Sequence, residues 1–121
     1  MNDTTKAAIA QLPSDAPAPA VIAAWAGKQV SQSSGGGRWY CGHMQYVPDP
    51  REAQGERTLR RWLLDNKAIV HYFPRRGNRY GMAINWLNVR DQGYSGRGES
   101  PEAAFLQAVE VFAKSLKEEA K

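Results

Sequence analysis

The chain has 121 residues, 42% of them hydrophobic, with four tryptophans and a formal net charge of +4. That length suits one domain with a modest core, and that hydrophobic content excludes a disordered tail. A single cysteine, Cys41, excludes an internal disulfide and a four-cysteine zinc site.

The polar start shows no signal peptide, and a short helix over residues 4–12 ends at Pro13. Ala16-Pro17-Ala18-Pro19 reads as an extended linker. Residues 20–30 then place Val21, Ala24 and Trp25 on one helical face, with Ile22 beside it, as a docking helix. The apolar run 20–26 is too short to cross a bilayer. A soluble protein of the (host) cytoplasm is expected, with no membrane partner. Residues 31–37, Ser-Gln-Ser-Ser-Gly-Gly-Gly, read as a flexible connector. Residues 1–37 therefore form a helical segment with linkers, and 38–121 an α+β domain.

Residues 38–47 read as a strand in which Tyr40, Met44 and Tyr46 form the buried side, and Pro48-Asp49-Pro50 stops it. Residues 51–66 carry Leu59, Trp62 and Leu63 at helical spacing, with Gly55 a weak point and Arg57, Arg60, Arg61 and Lys67 mostly toward solvent. Strands at 68–73 and 79–88 follow, joined through Gly77-Asn78 as a two-residue loop. That turn pairs Arg76 with Arg79, Arg75 with Tyr80, Phe73 with Met82, His71 with Ile84 and Ile69 with Trp86. It gives a core face of Ile69, Phe73, Met82, Ile84 and Trp86, which also takes His71. The opposite face carries Tyr72, Arg76, Arg79 and Asn85. Residues 91–98 are a glycine-rich turn region in which Tyr94 begins a third strand.

The last helix is the best marked. Ser100 caps it, Pro101 suits its first position, and Glu102 suits its positive end. Ala104, Phe105, Ala108, Val109, Phe112 and Leu116 make its apolar stripe. The fold class expected is α+β: an antiparallel sheet of three or four strands, helices on at least one face, and a long C-terminal helix.

Charge is uneven along the chain. Residues 28–98 carry +7, while 1–27 carry −1 and 99–121 carry −2. Ten of the twelve basic residues in 28–98 are arginines, which fork onto phosphate or carboxylate and stack on rings. Two arginines facing each other at a hairpin tip repel, so folding does not favour them, whereas an anionic partner does. The candidate binding surface is therefore Arg75, Arg76, Arg79 and Tyr80 at the tip, with Tyr72 beside them. Arg60 and Arg61 on the middle helix, Arg38 with Trp39 on the first strand, and Arg97 before the last helix widen it.

Catalysis finds little support. Cys41 and His43 supply two metal ligands without a second pair, and the acids are scattered. The loop from Gly93 to Pro101 runs into a helix N-terminus, but Glu99 and Glu102 repel phosphate and no lysine follows the glycines, so it reads as turn chemistry. No cofactor, no metal and no enzyme are expected.

Ala83-Ile84-Asn85-Trp86, followed by Gly98-Glu99-Ser100-Pro101-Glu102-Ala103-Ala104 and Phe105-Leu106-Gln107-Ala108, resembles the small phage-encoded proteins with an α-β-α sandwich domain. The resemblance covers under half of the chain and brings no catalytic residues. It implies a phage or prophage origin. By analogy it also implies a non-catalytic inhibitor of a host defence system, anti-CRISPR-like, whose partner is a host protein or nucleoprotein complex. The alternative is a direct binder of RNA, DNA or nucleotide. Hairpin and final helix also resemble a double-stranded-RNA-binding domain, but Ser100-Pro101-Glu102-Ala103 stands where that family carries lysines, so ordinary duplex RNA binding is not expected.

Overall fold

In the computed structural model, residues 1–42, 45–74, 77, 79–87 and 93–121 are described. His43, Met44, Arg75, Arg76 and Asn78 lie outside the described residues, and so do residues 88–92. Two helices, α1 (Asp3–Ala10) and α2 (Ala18–Trp25), precede a hairpin of β1 (Val30–Gln32) and β2 (Trp39–Cys41). Helix α3 (Ala53–Asp65) leads into β3 (Ala68–Pro74), β4 (Tyr80–Trp86) and β5 (Tyr94–Gly98), and α4 (Pro101–Ala120) ends the chain. The protein is α+β, with a two-stranded and a three-stranded sheet, both antiparallel.

Helix α4 forms where its pattern places it. The Ser100 hydroxyl accepts the Ala103 amide at 3.1 Å, Pro101 opens the helix, and the expected stripe is buried together with Ala113. That stripe lies across β4 and β5. The approach is close because β5 has no side chain at Gly96: a Cβ there would overlap the Ala104 carbonyl and the Ala108 amide. Phe112 stands edge-on to Trp25, Trp86 and Tyr94, with centroids 5.2, 5.7 and 5.1 Å away. Such edge contacts add to what the buried area supplies.

Helix α2 differs from its expected role. Residues 20–25 are buried without exception, so it is a central helix with no solvent face. The Pro/Ala run is not a linker: Ala16 is buried, Pro17 stands at the N-cap of α2, and Ala18 and Pro19 open the helix. Helices α1 and α2 share one hydrophobic core with α3, α4 and the three-stranded sheet. The serine-glycine connector is structured too, as strand β1 and a hairpin turn. Ser33 donates to the Arg38 carbonyl at 3.0 Å, and the Gln32 amide donates to Gly37 at 3.0 Å.

The long first strand is instead a short one that folds back. Residues 38–47 give β2, then a bridge between Tyr40 and Tyr46, with Cys41 N donating to the Gln45 carbonyl at 2.8 Å. Alternation is therefore inverted. Cys41 is buried and Trp39 packs on the core, while Tyr46 is 57% exposed.

The β3–β4 register also departs from expectation, by one residue. Pro74 pairs with Tyr80, Tyr72 with Met82, Val70 with Ile84 and Ala68 with Trp86. Pro74 has no N–H with which to extend the ladder toward a tighter turn. The odd count of linking residues turns β3 over relative to β4. Met82, Ile84 and Trp86 keep their core positions. From β3, however, Ala68 and Val70 point inward in place of Ile69 and Phe73. His71, expected on the core face, is exposed on the other one. Helix α3 covers β3 and α4 covers β4 and β5, on the same side of the sheet. Among the described residues no element covers the opposite face, which carries His71, Phe73, Ser95 and Arg97.

Candidate functional site

The structure separates the sequence-derived surface into three places. At the outer end of the three-stranded sheet, on the helical side, Tyr72 and Tyr80 lie 6.1 Å apart between ring centroids. The one-residue shift in register moves Tyr72 onto this side, where it projects beyond the helices and is 53% exposed. Arg79, next to Tyr80, is exposed. Arg60 reaches the same neighbourhood from α3, with Nη2 donating to Met82 Sδ at 3.6 Å. It is not a free cation: its guanidinium pairs with Glu56 at 2.8 Å and sits 5.1 Å over the Phe105 ring. Arg75 and Arg76 belong to this hairpin but lie outside the described residues.

Arg97 stands on the opposite, uncovered face, in one row with Gly81 and Phe73. Its backbone amide donates to the Gln107 side chain, which ties β5 to α4; the stretch expected as turn chemistry is instead strand β5 over Tyr94–Gly98. Arg61 is exposed on α3.

Arg38 and Trp39 occupy the third place, a cleft of about 880 Å³ between the β2 fold-back and α3. Trp62 and Thr58 line it from α3, and Tyr46 from the fold-back. The Arg38 guanidinium lies 4.7 Å over the Tyr46 ring, and Tyr46 lies 5.1 Å from Tyr40. Lys28 sits 5.6 Å over Trp62. The cleft floor is set by the Pro-Asp-Pro turn packing on the first turn of α3. Gly55 makes that possible, since a Cβ there would overlap the Asp49 carbonyl. Asp49 accepts from Arg51 Nε and Nη2, both at 3.1 Å, and from the Arg51 amide at 2.9 Å. These bonds hold its carboxyl below the usual range.

Cys41 lines the same cleft but is buried, and its thiol donates to the Tyr46 carbonyl at 3.6 Å. Burial raises its pKa, against an opposing effect of Lys28. A thiol kept protonated in this way is a poor nucleophile. Among the described residues, no group of three or more metal-binding side chains converges, and no helix is long and apolar enough to cross a membrane.

Sequence reasoning missed Tyr46 and Trp62 as members of a site, and Lys28 beside Trp62. The available signal was the density of rings around Arg38, together with Gly42 and a proline turn that permit a fold-back. Comparison with protein-family models, curated proteins and solved structures finds no match.

Among the described residues, Arg57, Arg61, Arg79 and Arg97 make no ion pair. Arg51 and Arg60 are neutralised by carboxylates of their own helix or turn. Among the described residues, Arg57, Arg61, Arg79 and Arg97 are thus exposed cations without a carboxylate partner.

Proposed function

We propose that this chain is a non-catalytic binding protein that docks on a nucleic-acid-bearing complex, placing unpaired arginines and the exposed Tyr72, beside the half-buried Tyr80, against phosphates and bases. The supporting observation is the Tyr72/Tyr80 pair beside Arg79, an exposed cation without a carboxylate partner among the described residues. Arginine next to exposed rings suits phosphate contact combined with stacking. The role as inhibitor of a host defence complex, in a phage or mobile element, rests on the resemblance over residues 68–116 alone.

Fluorescence anisotropy with labelled single-stranded and duplex oligonucleotides tests the reading. Binding should weaken steeply as salt rises. Arg79→Glu combined with Tyr72→Ala should weaken it at least about tenfold, equivalent to ~1.4 kcal/mol. No binding at low salt, or unchanged affinity in the double variant, contradicts it. The inhibitory role is checked separately: expressing the chain in a defence-proficient host should restore phage plating, and the double variant should not.

A further inference from the structure

The cleft between the β2 fold-back and α3 is a second ligand site, distinct from the hairpin end and independent of the reading given to it. We propose that it binds a nucleobase carrying a 5′-phosphate, either as a free nucleotide or as one unit of a single strand.

Rings carry the first part of the argument. Trp39 and Trp62 are half-buried in the cleft walls, and Tyr46 is mostly exposed there. Three aromatic residues on one opening of about 880 Å³ offer planar surface at a size that admits a nucleotide. None of the three belongs to the ring cluster around Phe112 that closes the core.

Charge supplies the second part. Arg51 and Asp49 satisfy each other across the floor and add no net charge. Arg38 has no ion pair among the described residues and is held over the Tyr46 ring. A guanidinium in that place offers its N–H edge to a phosphate and its plane to a base. Glu52 and Gln54 line the α3 side; Gln54 can accept from or donate to a base edge, while the Glu52 carboxylate accepts only and disfavours a phosphate near it, so the phosphate belongs at the Arg38 end.

The site also has a direction of extension. A second groove of about 450 Å³ shares Trp39 and carries Lys28, whose ammonium sits over Trp62. A strand entering at Arg38 can therefore continue past Trp39 toward a second cation. With one or two phosphate contacts, the salt dependence should be shallow, with a slope of about −0.7 to −1.4 in log affinity against log salt.

The test uses the indole N–H resonances of the full chain. Adenosine 5′-monophosphate and dodecathymidylate are titrated in parallel, with Arg38→Ala and Tyr46→Leu as variants. Both residues are exposed, so folding should be retained, as thermal melting will show. The Trp39 and Trp62 signals should shift while Trp25 and Trp86 stay in place, and each variant should weaken binding about tenfold. Shifts with the mononucleotide identify a free nucleotide as ligand. Shifts with the oligonucleotide alone identify a strand. No shift of Trp39 and Trp62 with either probe, or shifts whose midpoints the two variants leave unchanged, overturns the proposal. Oligonucleotide binding lost only in the Arg79→Glu, Tyr72→Ala variant removes the cleft and keeps the hairpin end. Loss only in the cleft variants does the reverse.

Discussion

Two groups of aromatic side chains divide the work of this molecule. Trp25, Trp86, Tyr94 and Phe112 meet edge-to-face beneath α4, with Phe112 fully enclosed. Trp39, Tyr46 and Trp62 lie around an open cleft, and two of them meet cations, Tyr46 under Arg38 and Trp62 under Lys28. The same residue types thus serve opposite ends. Where a helix with small residues lies close to a sheet with glycines, rings are driven into a dry cluster. Where a short hairpin folds back beside a charged helix, rings keep a wet face and recruit guanidinium groups.

The sharpest way to break this comparison is to force the two layers of the core apart. Gly96→Leu inserts a side chain into α4 backbone, and the chain should fail to fold or lose most of its stability, seen as loss of the cooperative thermal transition. Phe112→Ala should destabilise by ~3–5 kcal/mol in denaturant titration, because it empties the centre of the ring cluster. Ser100→Ala should cost ~1 kcal/mol, as the Ala103 amide loses its acceptor. Tyr46→Leu, at the cleft, should change stability by less than ~0.5 kcal/mol, the range of ordinary surface substitutions.

The smallest effect concerns pH. Asp49 is held below the ordinary carboxylate range by the Arg51 side chain, so its folded pKa is depressed. Its stabilising contribution is present above the unfolded value of about 4 and is lost as pH falls through the lowered folded value. The melting temperatures of the wild-type chain and Asp49→Asn should therefore differ slightly near neutrality and converge in acid. A constant difference across that range would remove the carboxylate from the account of the cleft floor.

The sequence made the α4 half of the molecule readable and left the β2 half obscure. Helix α4 carries its own instructions: a serine cap, a proline at the first position and an apolar stripe of full length. The core positions of β4, Met82, Ile84 and Trp86, stand at every second residue and were read in place as well. β3 was read one residue out because Gly77-Asn78 imitates a two-residue turn, and alternation in Ala68–Pro74 is weak enough to accept either face. His71 and Tyr72 exchanged roles for that reason alone. Around Tyr40 and Tyr46, Gly42 and the Pro48-Asp49-Pro50 turn permit a chain reversal without requiring one, so residues 38–47 read as one strand with both tyrosines as core.

The sequence showed which basic and aromatic residues are present but not where they would stand. Arg38 with Trp39, Tyr72 with Tyr80, and Arg97 lie in three separate locations. Arg60 was expected mostly toward solvent as an extension of the binding surface, and Glu56 and Phe105 engage its guanidinium. Such pairing follows from helical spacing of Glu56 and Arg60, a signal that was present in the chain.

The central claim is that arginines left without carboxylates await a polyanion, and the salt dependence of single-strand affinity measures it most directly. For the wild-type chain, log affinity against log salt should fall with a slope steeper than about −1.4, and Arg79→Glu should make that slope shallower by about 0.7. A flat dependence in the wild-type chain, or an identical slope in the variant, would contradict the account.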